Sequence, residues 1–370
     1  MNMKKILYIL ISVSMLLVGC GSNRTSFLQE EGDTIPMLYA KNITMVRYGD
    51  CVKVDLVNPW GKGLLGSYML IPSDAPNCQL STVNSQLIKF PLKNALVFTA
   101  VHCGLICELG METSIGGVCE KQYIHGLTKE VVDCGNGMSP NQERIIQLQP
   151  DAMLVSPFES NTGHDKLGQL GIPIVECAEY MEPTALGRAE WMKFYGLLFG
   201  KEKEANTMFE ALVAHYDSLS ALVAKSDQRP RILSELLYGN VWYQPGVHSA
   251  IGQLYTDAGA QTAFPDYTQS GSVPLSTEQV YAQAHDADYW LIRYESDNQK
   301  TLKELATEAS VYSEFEAFQK QNIWGCNTRT TFFYERSPFH PDRMLSDIIQ
   351  ITHPEVQSQE PMHFYERLKP

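Results

Sequence analysis

The sequence predicts an α/β protein of two similar, Rossmann-like lobes joined by a single long α-helix. Three observations predict it. The chain has 370 residues, too many for one ordinary core and suited to two domains. An unbroken amphipathic run lies near its middle. A helix-then-strand pattern occurs once on each side of that run.

The first residues stand apart from the folded body. Lys4 and Lys5 form a basic start, and Ile6 to Val18 form a short apolar stretch, as in a signal peptide. The stretch ends at Leu17-Val18-Gly19-Cys20, which looks like a bacterial lipobox. Cys20 is then the lipidation site and new N-terminus, because only a thiol can carry the lipid as a thioether. Residues 1–19 are read as a lipoprotein signal peptide and 20–37 as a polar tether. The mature protein is expected to be anchored to a membrane rather than to span it. No acidic run follows Cys20, which favours a periplasmic location.

The charge balance excludes one partner class. The formal net charge is −13, and loss of Lys4 and Lys5 leaves 27 basic and 42 acidic residues, a net −15. Such a surface is a poor non-specific ligand for nucleic acid.

The N-terminal lobe is read as residues 38–201. "ITMVRYGDCVKVDLV" gives two strand-like runs about a turn at Tyr48-Gly49-Asp50, and Val52, Val54 and Leu56 alternate with Lys53 and Asp55. "ALVFTAVHCGLICELG" gives a strand over Ala95 to Phe98 that turns into a helix from His102. The amides at such a helix start can hold an anion, and His102 can ligate a metal or donate to a ligand.

The interlobe helix is read as residues 202–225. Ala205, Met208, Phe209, Leu212, Val213, Tyr216, Leu219, Leu222 and Val223 recur at the three-and-four spacing of one helix face, with no Gly or Pro interrupting the run. The helix would be roughly 36 Å long. Ser226 to Pro230 breaks it, and a strand-like run from Ile232 to Leu237 opens the C-terminal lobe, 226–370.

The repeat relates the lobes. "SPNQERIIQLQPDAMLV" and "STEQVYAQAHDADYWLI" align without a gap, matching Ser139 with Ser276, Gln142 with Gln279, Asp151 with Asp288 and Leu154 with Leu291. Each copy opens with S-x-x-Q, a capping-box pattern, and Pro140 suits the first helical position. Each closes on an apolar run, Met153 to Val155 or Trp290 to Ile292, suited to a buried strand.

Ligands of α/β lobes gather at the carboxyl ends of strands. There, Trp242 and Tyr243 suit a flat or apolar ligand beside the turn at Pro245-Gly246. "NTRTTFFYERSPFHPDRML" gathers Arg329, Tyr334, Arg336 and Arg343, whose guanidinium forks suit carboxylate or catecholate oxygens. The sequence contains no G-x-S-x-G, H-E-x-x-H, Walker loop or G-x-G-x-x-G. Nothing pairs a nucleophile with a base, and a non-enzymatic role is expected. A second reading uses Cys103 and Cys107, four residues apart, with His102 as a zinc-binding or redox centre. Small buried apolar thiols, or disulfides allowed by an exported location, are the stronger reading of the cysteines.

The residues resemble the lipoprotein substrate-binding components of ABC importers for iron chelates, haem and vitamin B12, in the form common in Bacteroidetes. The segments that carry the resemblance are "VNPW", "RIIQLQPDAMLV", "WYQPGVHSAIGQLYTDAGA", "PDRMLSDIIQITHPEV" and above all the stretch around Arg188-Ala189-Glu190-Trp191. The resemblance implies a cleft between lobes held by a rigid helix and permitting modest closure. It implies that Thr99, His102, Phe158, Trp242, Tyr243, Arg329, Tyr334 and Arg336 line the cleft. It implies no intrinsic cofactor, and a ferric siderophore, haem or corrinoid as ligand. It implies an ABC permease and ATPase as partners, with Glu159 and Glu295 as docking carboxylates and Glu304 as a substitute in the second lobe.

Overall fold

The computed structural model describes residues 32–74, 85–158, 167–356 and 360–370. Glu159 and Cys20 lie outside the described residues.

The chain opens with a five-stranded sheet of β1 (Asp33–Ile35), β2 (Ile43–Tyr48), β3 (Cys51–Val57), β4 (Leu64–Pro72) and β5 (Gln86–Phe90) in that order. It is antiparallel up to β4, and β5 runs parallel to β4. The β2–β3 turn has Gly49 at φ +56°, a left-handed conformation that glycine adopts without steric cost. Val52, Val54 and Leu56 face the core as their alternation predicts. One expectation is corrected here. The tether, read as residues 20–37, stops short of residue 33, because Asp33–Ile35 pairs with β2.

Two carboxylates seat this first sheet. Glu190 accepts the backbone N–H groups of Leu38, Tyr39 and Ala40 at 2.9, 2.7 and 2.9 Å. Glu182 accepts those of Lys41 and Asn42, together with the indole Nε1–H of Trp191. The Arg188-Ala189-Glu190-Trp191 stretch is thus the structural clamp for the strand lead-in. Buried carboxylates persist only with donors of this kind.

The second sheet has the order β12-β11-β6-β7-β8, all parallel: β6 (Ala95–Val97), β7 (Ile115–Val118), β8 (Val132–Asp133), β11 (Ala152–Val155) and β12 (Ile174–Glu176). A small ladder of β9 (Gly135–Asn136) and β10 (Ser139–Pro140) follows β8. Ser139 and Pro140 therefore belong to a strand, and the helix Gln142–Leu148 is capped by Asn141, which accepts from the Arg144 amide. The nearer Asx side chain takes the capping role expected of Ser139.

The third sheet has the order β15-β13-β17-β18-β19: β13 (Arg231–Ser234), β15 (Gln261–Thr262), β17 (Tyr289–Tyr294), β18 (Ile323–Asn327) and β19 (Glu366–Arg367). It is parallel except for β19. Beside it, β14 (Trp242–Pro245) pairs antiparallel with β16 (Ser272–Leu275). Ser276 forms the full capping box with Gln279 at the helix Thr277–Ala284. The repeat extends to its aspartates. Asp151 accepts from the amides of Lys93 and Asn94 at the start of β6, and Asp288 accepts from Arg231 at the start of β13. Each aspartate ties its own strand to the first strand, in chain order, of its parallel sheet.

The long helix spans Glu202–Val223. Its buried face is divided between the lobes. Ala205, Phe209 and Leu212 enter the core of the first lobe, whereas Tyr216, Leu219 and Val223 enter the core of the second. A second contact joins the lobes without a covalent link. Phe339 packs in the first-lobe core, edge-on to Tyr195 at 5.8 Å between ring centroids.

Candidate functional site

Strand order fixes where a ligand would sit. In the second sheet the chain leaves β6 for β7 on one side and later places β11 on the other. In the third sheet it leaves β13 for β15 on one side and places β17 on the other. The crevices at these topological switch points open at the carboxyl ends of β6 and β11, and of β13 and β17.

At the switch point of the second lobe lies an ion pair that sequence reasoning missed. Glu235 follows β13 with φ +62°, a conformation that costs about 1–3 kcal/mol in a non-glycine residue. Its backbone carbonyl accepts from Trp290 Nε1 at 2.8 Å and Trp242 Nε1 at 3.2 Å, which hold it there. Its Oε1 accepts from both Arg293 Nε and a terminal guanidinium nitrogen, at 2.6 and 2.5 Å. Glu235 works against burial to hold the Arg293 guanidinium firmly charged, above its ordinary pKa. The pair lines a hollow of about 120 Å³ with Tyr243, Tyr255, Phe333 and Tyr365. The Arg293 guanidinium stands 5.4 Å from the Phe333 ring centroid. A position-aware reading of "LIRYES" as a strand end was the available signal.

Next to it is a smaller hollow lined by Tyr123, His125, Glu295, Arg329, Phe332 and Tyr334. Arg329 donates to Glu295 at 2.8 Å and to Asp297 at 2.7 Å. Both partners are exposed, so the contacts are worth little singly. Glu295, proposed from the sequence for docking, is accordingly half covered by a cation. Glu304 caps the helix Leu302–Glu308 through Thr301. Arg336 is exposed and stands over the Phe332 ring at 5.0 Å.

Exposed aromatics collect at these strand ends. Phe158 follows β11, Tyr123 follows β7, Tyr238 follows β13 and Tyr334 follows β18; Tyr243 lies on β14. Tyr238 is 81% exposed, the extreme of the group. Large side chains left open at one end of both sheets provide flat contact surface with a polar tip.

Two expected ligand contacts are corrected. Trp242 is fully buried; its ring packs on Trp290, Tyr312 and Phe315, and its N–H is spent on Ser234 and Glu235 carbonyls. His102 is also fully buried. Its Nδ1 meets Thr99 Oγ1 at 2.8 Å and its Nε2 meets Glu179 at 3.2 Å, so neither nitrogen faces a ligand. Glu179 also accepts from Tyr195 OH at 3.1 Å. Burial opposes charge on His102, but Cys177 and Glu179 beside it outweigh burial and push its pKa to about 10.

Among the described residues nothing supports the reading of Cys103 and Cys107 as a zinc-binding or redox centre. Burial pushes the Cys103 thiol well above its ordinary pKa and the Cys107 thiol to about 11, which suppresses the thiolate needed for ligation or attack. Among the described residues no group of three His, Cys, Asp or Glu side chains could hold a metal ion. Cys51 is disulfide-bonded, and the six other described cysteines are free. No described helix is long and apolar enough to cross a membrane.

Comparison with known proteins bears on the same architecture. The family described as periplasmic binding protein matches residues 102–330. A lipoprotein of Methanocaldococcus jannaschii described as uncharacterised is 24% identical, over 98% of this chain and 96% of its own. A periplasmic haem-binding protein of Pseudomonas aeruginosa superposes with a TM-score of 0.60 at 14% identity, covering 75% of this chain and 99% of its own. A siderophore-binding protein of Vibrio cholerae, solved with ferric desferal, superposes at 0.54 and 18% identity, covering 70% and 99%. These structures share the two-lobed fold.

Proposed function

Since the chain belongs to the periplasmic binding protein family, we propose that it is the lipid-anchored substrate-binding component of an ABC importer. Its ligand is an anionic metal chelate or tetrapyrrole. The observation that carries this reading is Arg293 at the switch point of the second lobe, beside Tyr243 and beneath Phe333. A guanidinium held by a single carboxylate oxygen is charged and pre-positioned, and an incoming carboxylate or hydroxamate oxygen can exchange with Glu235. Phe158, Tyr238 and Tyr334 would cover the flat or apolar parts of the guest. Thr99 stands at the first-lobe crevice, and Arg329 and Arg336 at its rim. The names of the solved neighbours, one binding haem and one a ferric siderophore, support this ligand class. Cys20 would carry the lipid on the periplasmic side, and Glu159 and Glu295 would meet the permease, with the ATPase behind it.

The test is titration of the purified mature protein with ferrioxamine, haemin and cyanocobalamin, followed by tryptophan fluorescence and absorption. One of the anionic or ferric ligands should bind below about 10 μM, the range of a real but modest complex. Arg293→Ala should weaken it at least tenfold, with unchanged circular dichroism. No binding by any of the three, or equal binding by the variant, overturns the assignment.

A further inference from the structure

A hollow larger than those at the switch points lies elsewhere. It is an open groove of about 860 Å³ between β1 and the long helix. Its β1 wall lies outside the family-matched residues 102–330, so the shared ligand-binding fold does not account for it. Its floor is apolar: Ile35, Tyr39, Phe209 and Val213, with Tyr39 edge-on to Phe209 at 5.9 Å.

Charge in the groove is one-sided. Its two cations are already paired, Arg47 with Glu202 at 2.6 Å and Lys193 with Glu190 at 2.8 Å. Asp33, Glu210 and Asp217 line it with no ion-pair partner among the described residues. An anionic rim over an apolar floor complements a cationic, partly apolar guest.

The shape selects a chain segment over a small molecule. The helix wall runs from Glu202 to Asp217 along one face, about 22 Å at 1.5 Å per residue. That length matches roughly seven residues of extended chain. The opposite wall, β1, is the edge strand of its sheet among the described residues, and an edge strand is a template for a further strand.

We propose that this groove is a docking site for an extended segment of a partner protein that carries lysine or arginine at alternate residues, which share one face of an extended chain, with apolar residues between them on the other. The segment lies along the edge of β1, its cations meeting Asp33, Glu210 and Asp217 and its apolar side chains resting on Tyr39 and Phe209. The site goes beyond the proposed import role and is independent of the ligand cleft.

The probe is a fluorescein-labelled nine-residue peptide with lysine or arginine at alternate positions and valine, leucine or threonine elsewhere, read by anisotropy with the full mature protein. Binding should weaken with added salt and at least tenfold in the double variant Glu210→Lys, Asp217→Lys. Both side chains are exposed, so folding should be preserved, which circular dichroism checks. A peptide with glutamate at the cationic positions should not bind. Equal binding of both peptides, or an unchanged affinity in the double variant, refutes the proposal. Complete competition by spermidine at the peptide's own affinity would make the groove an amine site instead. A photoreactive residue at position 214, activated in native membranes, should cross-link to a basic segment of another protein; cross-linking only to residues 21–31 of the same chain overturns the partner.

Discussion

Replacing Glu179 by glutamine tests a buried ion pair in the first lobe. The substitution keeps the shape and an acceptor for Tyr195 but removes the anion 3.2 Å from His102. Both side chains are covered, at 0% and 2% exposure. Losing one partner of such a pair costs about 3–5 kcal/mol. The lower end applies, because the imidazole can shed its proton and escape the uncompensated charge. Urea unfolding of both proteins at several pH values reads the loss. The sign follows from linkage. His102 is raised from 6.5 to about 10, so its contribution is complete below pH 6.5 and disappears as pH rises through 10. Burial alone would raise the Glu179 carboxyl, but His102 and the hydrogen bonds to it lower it below 4.5, so its contribution is complete above pH 4.5 and disappears as pH falls. The gap between wild type and variant should therefore be widest between pH 4.5 and 6.5 and should shrink towards pH 10. A gap under about 1 kcal/mol at pH 5.5, or one that widens with pH, refutes the ion pair.

Three further outcomes follow from packing. Trp242→Ala should destabilise the second lobe by about 3–5 kcal/mol in urea unfolding, yet leave the affinity of folded protein for its chelate unchanged, because the ring never meets the cleft. Glu190→Ala removes the acceptor for three backbone amides; at about 1.5–3 kcal/mol for a hydrogen bond to a charged group, the lead-in should detach, and trypsin should cut at Lys41 at least tenfold faster. Gly104→Ala would place a Cβ 2.1 Å from the Glu335 carbonyl oxygen across the lobe contact; small-angle scattering should report a larger radius of gyration.

The fold was legible where local chemistry and global architecture agree. The long helix reads as 202–225 and ends at Val223, because its apolar face is continuous and no residue breaks it. The repeat was legible in the match of Asp151 with Asp288, but not in the backbone amides that these hold 58 and 57 positions away. Partners far apart in sequence were not legible. Glu190 reaches Leu38 across 152 positions, and Arg293 reaches Glu235 across 58. Neither pairing leaves a local pattern. Trp242 misled because an aromatic beside a Pro-Gly turn looks the same whether its ring faces solvent or core. What decided the matter was its N–H, which the Ser234 and Glu235 carbonyls claim.

The same turn of chain holds both the ligand hollow and the contact between lobes, and this has a measurable consequence. Phe333 stands over Arg293, while two residues later Glu335 accepts the amides of His125 and Gly126 in the first lobe at 3.0 and 2.7 Å. His340 adds a contact to Glu108 at 2.7 Å. The long helix cannot hinge freely, since each half of its face is embedded in a different core. Motion must then be taken up by the segment Phe332 to His340. A guest that draws Arg293 away from Glu235 displaces Phe333, and through that short helix it displaces Glu335. Hydrogen exchange at His125 and Gly126 should therefore change at least several-fold when chelate binds, while the amides of Leu212 to Tyr216 in the strut stay unchanged. If the strut amides respond and the His125–Gly126 pair does not, the helix is the hinge and the latch at Glu335 is passive.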